Sequence, residues 1–178
     1  MPAPASAASP AYASPAAEPS APANAAAPVP GEGHRYQLVE RPGVSFERAQ
    51  QLASAMTFEG MQGHLVVLET STYGEELVAL FQSVHLQAQR GNKWYWIGAS
   101  RPLSNKPAQE GWRWIDGSEV STSLTSTWVI DMFEGPVPEG ACATFRDTSP
   151  VLGDYAAVNP TGIVTGFLVE FEPPSPRP

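Results

Sequence analysis

The first thirty residues most restrict what this chain can fold into, because they cannot supply a packed element. Of these residues, 25 are Ala, Pro or Ser, and eight are prolines. Proline lacks a backbone donor and biases its predecessor toward extended conformations. Since almost no aliphatic bulk is present to offset the entropy of ordering, we expect residues 1–30 to form a disordered, polyproline-like tether. The alternative is a disordered extension without a spacer role.

After residue 30 the composition becomes that of an ordinary globular protein. Residues 31–173 contain all five tryptophans and provide about 140 positions, which is enough for one domain with its own hydrophobic core. The last five residues, 174–178, include three prolines. We therefore predict one domain at 31–173, followed by a short disordered tail.

Charge and cysteine content exclude several classes of protein. The formal net charge is −8, from 10 Lys and Arg against 18 Asp and Glu, and the sequence has no basic cluster. Nucleic acids and anionic membranes are therefore not expected as partners. No apolar run reaches the ~18 residues of a spanning helix, so no transmembrane segment is predicted. The single cysteine, Cys142, excludes an internal disulfide and a multi-cysteine zinc site.

Hydrophobic periodicity predicts two helices and seven strands. Ser45 is the expected N-cap of the first helix, and Thr70 or Ser71 that of the second, which ends near Gly91. The strands are predicted at residues 36–40, 64–69, 94–98, 112–115, 141–145, 155–158 and 166–172. Helices early in the chain and strands after them imply an α+β fold with a mostly antiparallel sheet.

The strand at residues 94–98 also predicts how the sheet is packed. Alternation places Trp94 and Trp96 on one face and Tyr95 on the other, and Gly98 leaves room for a neighbouring backbone. The amino-acid composition then changes: from Ser100 to Gly140 the chain is rich in Gly, Pro, Ser and Thr. A long irregular stretch inside a compact domain is often functional, so these loops are the candidate functional region.

Five short motifs occur along the chain in a fixed order. They are Phe46-x-x-Ala49-x-x-x-Ala53, Gly63-His64-Leu65, Trp96-Ile97-Gly98-Ala99, Gly111-Trp112-x-Trp114-x-Asp116-Gly117 and Gly166-Phe167-Leu168-Val169-Glu170. Together they resemble a disulfide-free, bacterial-type variant of the C-type lectin-like domain, over roughly residues 33–172. The resemblance implies two helices packed on a mostly antiparallel sheet, with a long irregular loop region.

The departures from the family concern its disulfides. Members normally carry two bridges, and Ala53 and Val169 stand where one pair of cysteines would be. The resemblance implies that an apolar contact between them replaces that bridge. Cys142 stands where a third cysteine would be, and we interpret it as a small buried hydrophobe rather than a reactive or metal-binding thiol.

The resemblance implies a ligand-binding module for a carbohydrate or a cell-surface glycan. The candidate ligand-binding residues are Trp128, Asp131, Glu134, Glu139 and Asp154. Trp128 lies in the irregular region and serves either sugar stacking or the core, whereas Trp96, Trp112 and Trp114 are expected in the core.

Calcium is the cofactor that the family uses for sugar binding. The candidate metal ligands are Glu134, Glu139 and Asp154, but the family's acid-proline-amide triplet is missing. Calcium requires about six to eight oxygens, so we expect weak binding at most, and solvated loop acids are the alternative.

The sequence is also compatible with two other functions. One is a protein–protein adhesion domain without sugar affinity. The other is a metal-dependent enzyme on a related fold, using Asp131, Glu134, Glu139 and Asp154. Because no nucleophile, phosphate-loop or paired-carboxylate motif occurs, we predict that the protein is not an enzyme. The location is open: an extracytoplasmic or cell-surface one is favoured, but the opening residues lack the basic and apolar regions of a secretory signal, and an intracellular location is the alternative.

Overall fold

The computed structural model describes residues 29–31, 34–68, 73–88, 91–102, 110–128, 140–148, 152–157 and 162–172. The predicted tail and all but the last two residues of the predicted tether lie outside these ranges, so both stay predictions. Paired backbone begins at Val29, two residues before the predicted start of the domain. Val29 pairs with Tyr36, and this pairing gives the end of the Ala/Pro-rich segment a place in the sheet.

Three helices occur in the described residues: α1 (Phe46–Ser54), α2 (Tyr73–Gln87) and α3 (Thr122–Thr125). Ser45 is the N-cap of α1, as predicted, because its hydroxyl accepts a hydrogen bond from the backbone N–H of Arg48 at 3.3 Å. Helix α2 ends four residues before Gly91, close to the predicted end. Its predicted caps, Thr70 and Ser71, lie outside the described residues.

The nine described strands form one sheet. They are β1 (Val29–Gly31), β2 (His34–Glu40), β3 (Thr57–Phe58), β4 (Met61–Leu65), β5 (Trp94–Arg101), β6 (Arg113–Trp114), β7 (Ala141–Arg146), β8 (Leu152–Ala156) and β9 (Val164–Glu172). The path through the sheet is β1-β2-β9-β5-β7-β8, with β4 pairing the far half of β9. Only the β5–β9 pair is parallel among these pairings. The architecture is therefore α+β with a mostly antiparallel sheet, as predicted.

The strand predicted at 64–69 is wrong in its bounds, because a tight hairpin precedes it. Glu59 and Gly60 both have positive φ, 49° and 82°, which is the conformation of a two-residue hairpin turn between β3 and β4. Pairing therefore starts at Met61, directly after the turn, and ends at Leu65. The sequence signal missed this turn because Glu-Gly is not one of the strong hairpin dipeptides.

The sheet separates two apolar cores, one under each long helix. Tyr95 and Ile97 pack with Leu80 of α2 on one face, whereas Trp96 packs with Ala49 of α1 on the other. The predicted alternation of the β5 side chains is thus confirmed. Each helix is held because it covers one face of the same central strands.

The predicted close approach at Gly98 is also confirmed. Its N–H donates to the carbonyl oxygen of Val66 at 2.7 Å. A Cβ atom at this position would lie 2.9 Å from the carbonyl oxygens of both Leu65 and Val66. Only glycine lets the segment after β4 approach the centre of β5 so closely.

Ala53 and Val169 lie in the same core, as the expected replacement of a disulfide requires. Both are fully buried beside α1. A Cβ atom on Gly63 would be 2.7 Å from the carbonyl oxygen of Ala53 and 3.0 Å from Cγ1 of Val169. Both residues therefore approach the same glycine from α1 and from β9.

This arrangement predicts that Ala53→Cys combined with Val169→Cys closes a disulfide on oxidation. A loop of this length allows a gain of about 4–5 kcal/mol in unfolding free energy, which strain reduces. Thiol counting after denaturation should find one thiol, Cys142, and the melting temperature should rise. Ala49→Cys with Val169→Cys, one helical turn away, is the matched control. Three free thiols in the folded Ala53/Val169 variant would contradict the alignment of α1 with β9.

Candidate functional site

The loop region is anchored by the hairpin that follows β5. The predicted turn at Asp116 and Gly117 is confirmed: Oδ1 of Asp116 accepts hydrogen bonds from the backbone N–H and the hydroxyl of Ser118, at 2.8 and 2.7 Å. Gly117 has a φ of 90°, which favours glycine. The N–H of Trp114 donates to the carbonyl oxygen of Ser118 at 3.0 Å. These bonds make the hairpin a fixed support.

A groove of about 400 Å³ lies beside this hairpin. We call it the loop-root groove, and its lining residues are Pro102, Glu110, Gly111, Trp112, Arg113, Glu119, Val120 and Thr122. It adjoins the described ends of the irregular region, and its volume falls in the range of small-ligand sites, about 300–1,000 Å³.

The charged side chains of the groove face solvent. Nη2 of Arg113 lies 3.0 Å from Oε1 of Glu119, and the two side chains are 57% and 78% exposed. The Arg113 guanidinium also donates to the carbonyl oxygen of Gly117 at 3.1 Å. An ion pair this exposed contributes only about 0–1 kcal/mol to stability. Its donors and acceptors are therefore available to a ligand at little structural cost.

Trp112, which lines the groove, forms an aromatic pair with Trp128. The rings of Trp112 and Trp128 pack edge to face with centroids 4.8 Å apart, and the two residues are 1% and 6% exposed. The Arg101 guanidinium lies 6.0 Å from the Trp112 ring centroid. Most of the Trp128 ring is thus part of the core, and its direct contact with a ligand stays a prediction.

The core assignment of the other tryptophans is confirmed. Trp96, Trp112 and Trp114 are each at most 3% exposed, and the Trp96 indole N–H donates to the carbonyl oxygen of Val44 at 2.9 Å. Cys142 is buried at 4% exposure, and burial raises the pKa of its thiol. A thiol in this state is a poor nucleophile, which agrees with its interpretation as a small hydrophobe.

The predicted acidic ligands are only partly within the described structure. Asp131, Glu134 and Glu139 lie outside the described residues. Asp154 lies on β8, 8% exposed and opposite Ala143 of β7. Ala143 belongs to the same core cluster as the tryptophan pair, so Asp154 is on the sheet face that the loop region covers. The set of Glu134, Glu139 and Asp154 as calcium ligands stays a prediction.

A second cavity, of about 390 Å³, was not expected from the sequence. We call it the histidine cavity, and its lining residues are His34, His64, Val67, Glu76, Ile115, Asp116 and Glu172. Glu170 lies beside it, with Oε1 2.7 Å from Nδ1 of His34. His34 and His64 have no metal-ligand spacing in the sequence, and the pairing of β2 and β4 with β9 brings them together.

Two comparisons with known proteins gave no match. No protein-family model and no curated protein matches this chain. Among the described helices, none is long and apolar enough to cross a bilayer.

Solved structures do match. Human lithostathine is similar with a TM-score of 0.52 and 19% identity, over 91% of this chain and 97% of that one. The C-type lectin domain of murine dendritic cell inhibitory receptor 2, in complex with an N-glycan, is similar with a TM-score of 0.52 and 16% identity, over 82% and 96%. Botrocetin is similar with a TM-score of 0.50 and 20% identity, over 83% and 97%. At such identities the likeness concerns the fold.

Proposed function

Because this domain has the C-type lectin-like fold, we propose that it is a binding module whose loop-root groove and adjoining loops bind a carbohydrate, such as a cell-surface glycan. The observation that carries the proposal is the exposed Arg113–Glu119 pair on a fixed hairpin. The glycan in the complex of the similar murine domain supports the choice of ligand class. The proposal includes no catalytic activity.

The groove has the mixed chemistry that a polyhydroxylated ligand needs. A sugar hydroxyl both donates and accepts, so it pairs best with adjacent donors and acceptors. Arg113 supplies only donors, Glu110 and Glu119 supply only acceptors, and Thr122 supplies both. Hydrogen bonds to charged partners are stronger than neutral ones. Ligand hydroxyls would therefore replace water at this pair without leaving a buried charge.

We propose that this binding does not depend on calcium. The acid-proline-amide triplet is absent from the sequence, and Asp154 is 8% exposed on β8. Without amide oxygens, the remaining carboxylates would repel one another and bind calcium weakly, in the millimolar range of loose extracellular sites. Sugar hydroxyls would then be held by the protein directly.

The test is a glycan array probed with the full chain, in millimolar calcium and in excess chelator. We expect binding to the same glycans in both, and a loss of at least ~10-fold in affinity for Arg113→Gln, about the value of one charge-assisted hydrogen bond. Arg48→Gln is the matched control, since Arg48 is an exposed residue of α1 and its guanidinium donates to the Gln51 side chain. Both variants should melt like the parent protein.

Three results would contradict the proposal. Absence of binding to any glycan would favour the adhesion domain without sugar affinity. Equal losses for Arg113→Gln and Arg48→Gln would indicate unspecific attraction to positive charge. Binding abolished by the chelator, and lost again in Asp154→Ala and Glu134→Ala, would restore the calcium mechanism of the family.

A further inference from the structure

The histidine cavity gathers metal-ligating side chains from three neighbouring strands. His64 of β4 pairs in register with Glu170 of β9. His34 of β2 lies one residue beyond the Arg35–Phe171 pair, so it stands opposite Glu172. Residues paired across strands, and those two apart along one strand, share a sheet face. The two histidines and two glutamates therefore project to the same side.

The ligand atoms of His34, Glu170 and Glu172 are close enough to share one ion, and His64 lies beside Glu172. Nδ1 of His34 lies 2.7 Å from Oε1 of Glu170 and 3.7 Å from Oε1 of Glu172. Nε2 of His64 lies 3.6 Å from the same oxygen of Glu172. Bonds of zinc to nitrogen and oxygen measure about 2.0–2.2 Å, which separates tetrahedral ligand atoms by roughly 3.4 Å. The ligand atoms of His34, Glu170 and Glu172 all lie within 4.8 Å of one another, so small shifts bring these three to coordinating positions, and a larger movement of the His64 ring adds its Nε2 as the fourth ligand.

The orientation of His64 is the second, independent observation. Its Nδ1 lies 2.9 Å from the carbonyl oxygen of Leu65. A carbonyl oxygen only accepts, so Nδ1 carries a proton, and in the neutral form of the ring Nε2 has the lone pair. Nε2 faces a carboxylate oxygen of Glu172 at 3.6 Å, a contact that either a proton on Nε2 or a metal ion between the two atoms makes favourable. A backbone carbonyl that fixes the tautomer in this way is a usual partner of zinc-bound histidines.

Glu170 is fixed in a similar way. It is 1% exposed, and its Oε2 accepts a hydrogen bond from the N–H of Val67 at 3.0 Å. Its Oε1 is then directed to His34. The separation from Nδ1 is short, but the angle does not meet hydrogen-bond geometry with any described residue. Nδ1 of His34 therefore has coordination capacity left for an ion.

The charge around the cavity selects a cation, and the nitrogen ligands select its type. Glu76 and Asp116 also line the cavity, so with neutral imidazoles the four carboxylates give a strongly negative potential. Calcium and magnesium prefer oxygen ligands alone, whereas imidazole suits zinc and related transition metals. Two imidazoles with two carboxylates favour zinc.

We propose that His34, His64, Glu170 and Glu172 form a zinc site that joins strands β2, β4 and β9. The ion ties the beginning of the domain to its last strand, in a chain whose single cysteine excludes an internal disulfide. None of these four residues lines the loop-root groove, so the two sites are tested separately.

The test uses the full chain without a polyhistidine tag, stripped with a chelator and dialysed. Calorimetric titration with Zn²⁺ should show one site per chain, and millimolar calcium should not compete. Zinc should also raise the melting temperature, because an ion that binds only the folded state stabilises it. His34→Ala and Glu172→Gln should each weaken zinc binding by more than the ~10–100-fold typical of losing an outer-shell partner.

The control is His85→Ala, which removes the chain's third histidine from an exposed position on α2 and should leave zinc affinity unchanged. Zinc that fails to bind, or that binds equally well to Glu172→Gln, would overturn the proposal. An equal loss in His85→Ala would do the same. Glu172 is 43% exposed, so Glu172→Gln is expected to fold. It therefore tests the proposal even if His34→Ala fails to fold.

Discussion

Replacing Gly166 with alanine is expected to prevent the domain from folding. A Cβ atom at this position in β9 would lie 2.0 Å from the carbonyl oxygen of Val39 and 3.0 Å from its carbonyl carbon. These neighbouring atoms belong to the backbone, so they cannot move away by rotation about a side-chain bond. Strand β2 would have to move away from β9 and give up the pairing around Glu40 and Gly166. Natural domains have only about 5–15 kcal/mol of stability, and separating β2 from β9, beginning at this end of their ladder, removes most of it.

Gly60→Ala separates this overlap from ordinary backbone strain. Gly60, unlike Gly166, lies in a turn with positive φ, and no atom lies within 4 Å of the position of its Cβ. Its replacement should cost only about 1–2 kcal/mol, the penalty of a left-handed conformation. Circular dichroism melts of both variants provide the measurement. If Gly166→Ala melted as high as Gly60→Ala, the close contact between β2 and β9 would be contradicted.

The second large effect is expected for Trp96→Ala. The Trp96 side chain is fully buried. Its ring packs edge to face on that of Phe46, with centroids 5.7 Å apart, and its centroid lies 6.1 Å from that of the Tyr155 ring. Removing it leaves a cavity between α1 and the sheet, with a loss of about 3–5 kcal/mol in unfolding free energy. Urea unfolding, with a constant slope against denaturant, measures the loss.

Trp96→Phe divides that loss into its parts. The phenyl ring keeps much of the contact with Phe46 but cannot donate to the carbonyl oxygen of Val44, which accepts the indole N–H at 2.9 Å. We expect a loss of about 1–3 kcal/mol, the range for one unmade buried hydrogen bond. Trp94→Ala is the control on the same face, since Trp94 is only partly buried. A loss for Trp94→Ala as large as that for Trp96→Ala would contradict the packing described for α1.

Features that depend on neighbouring residues were predictable. The N-cap at Ser45, the alternation at Trp94–Trp96 and the turn at Asp116–Gly117 are each encoded within a few residues. The close approach at Gly98 was also predictable, because a glycine inside a strand usually marks a bulge or a place where another backbone comes near. The order of the motifs then indicated the fold, since the same short signals recur in one arrangement.

Features that depend on register between distant strands were not predictable. His34 and Glu172 stand at opposite ends of the domain, and no local pattern tells that β9 lies between β2 and β4. The only available signal was the alternation Glu170-x-Glu172 at the end of an apolar strand. The position of the loop-root groove, within the loop region, was predictable. The residues that line it were not, because Arg113 and Glu119 meet only through a hairpin bridge.

The position of β9 in the sheet has a consequence for how the domain is made. This strand is the last of the described strands to leave the ribosome, yet it pairs with β2, β4 and β5. Contacts between ends of a domain are slow to form, because a long loop must close first. Until β9 is synthesised, apolar residues such as Val39 and Leu65 lack the strand with which they pair. Exposed apolar surface of this kind is bound by chaperones and promotes aggregation. Folding during synthesis is thus delayed until nearly the whole domain has been translated.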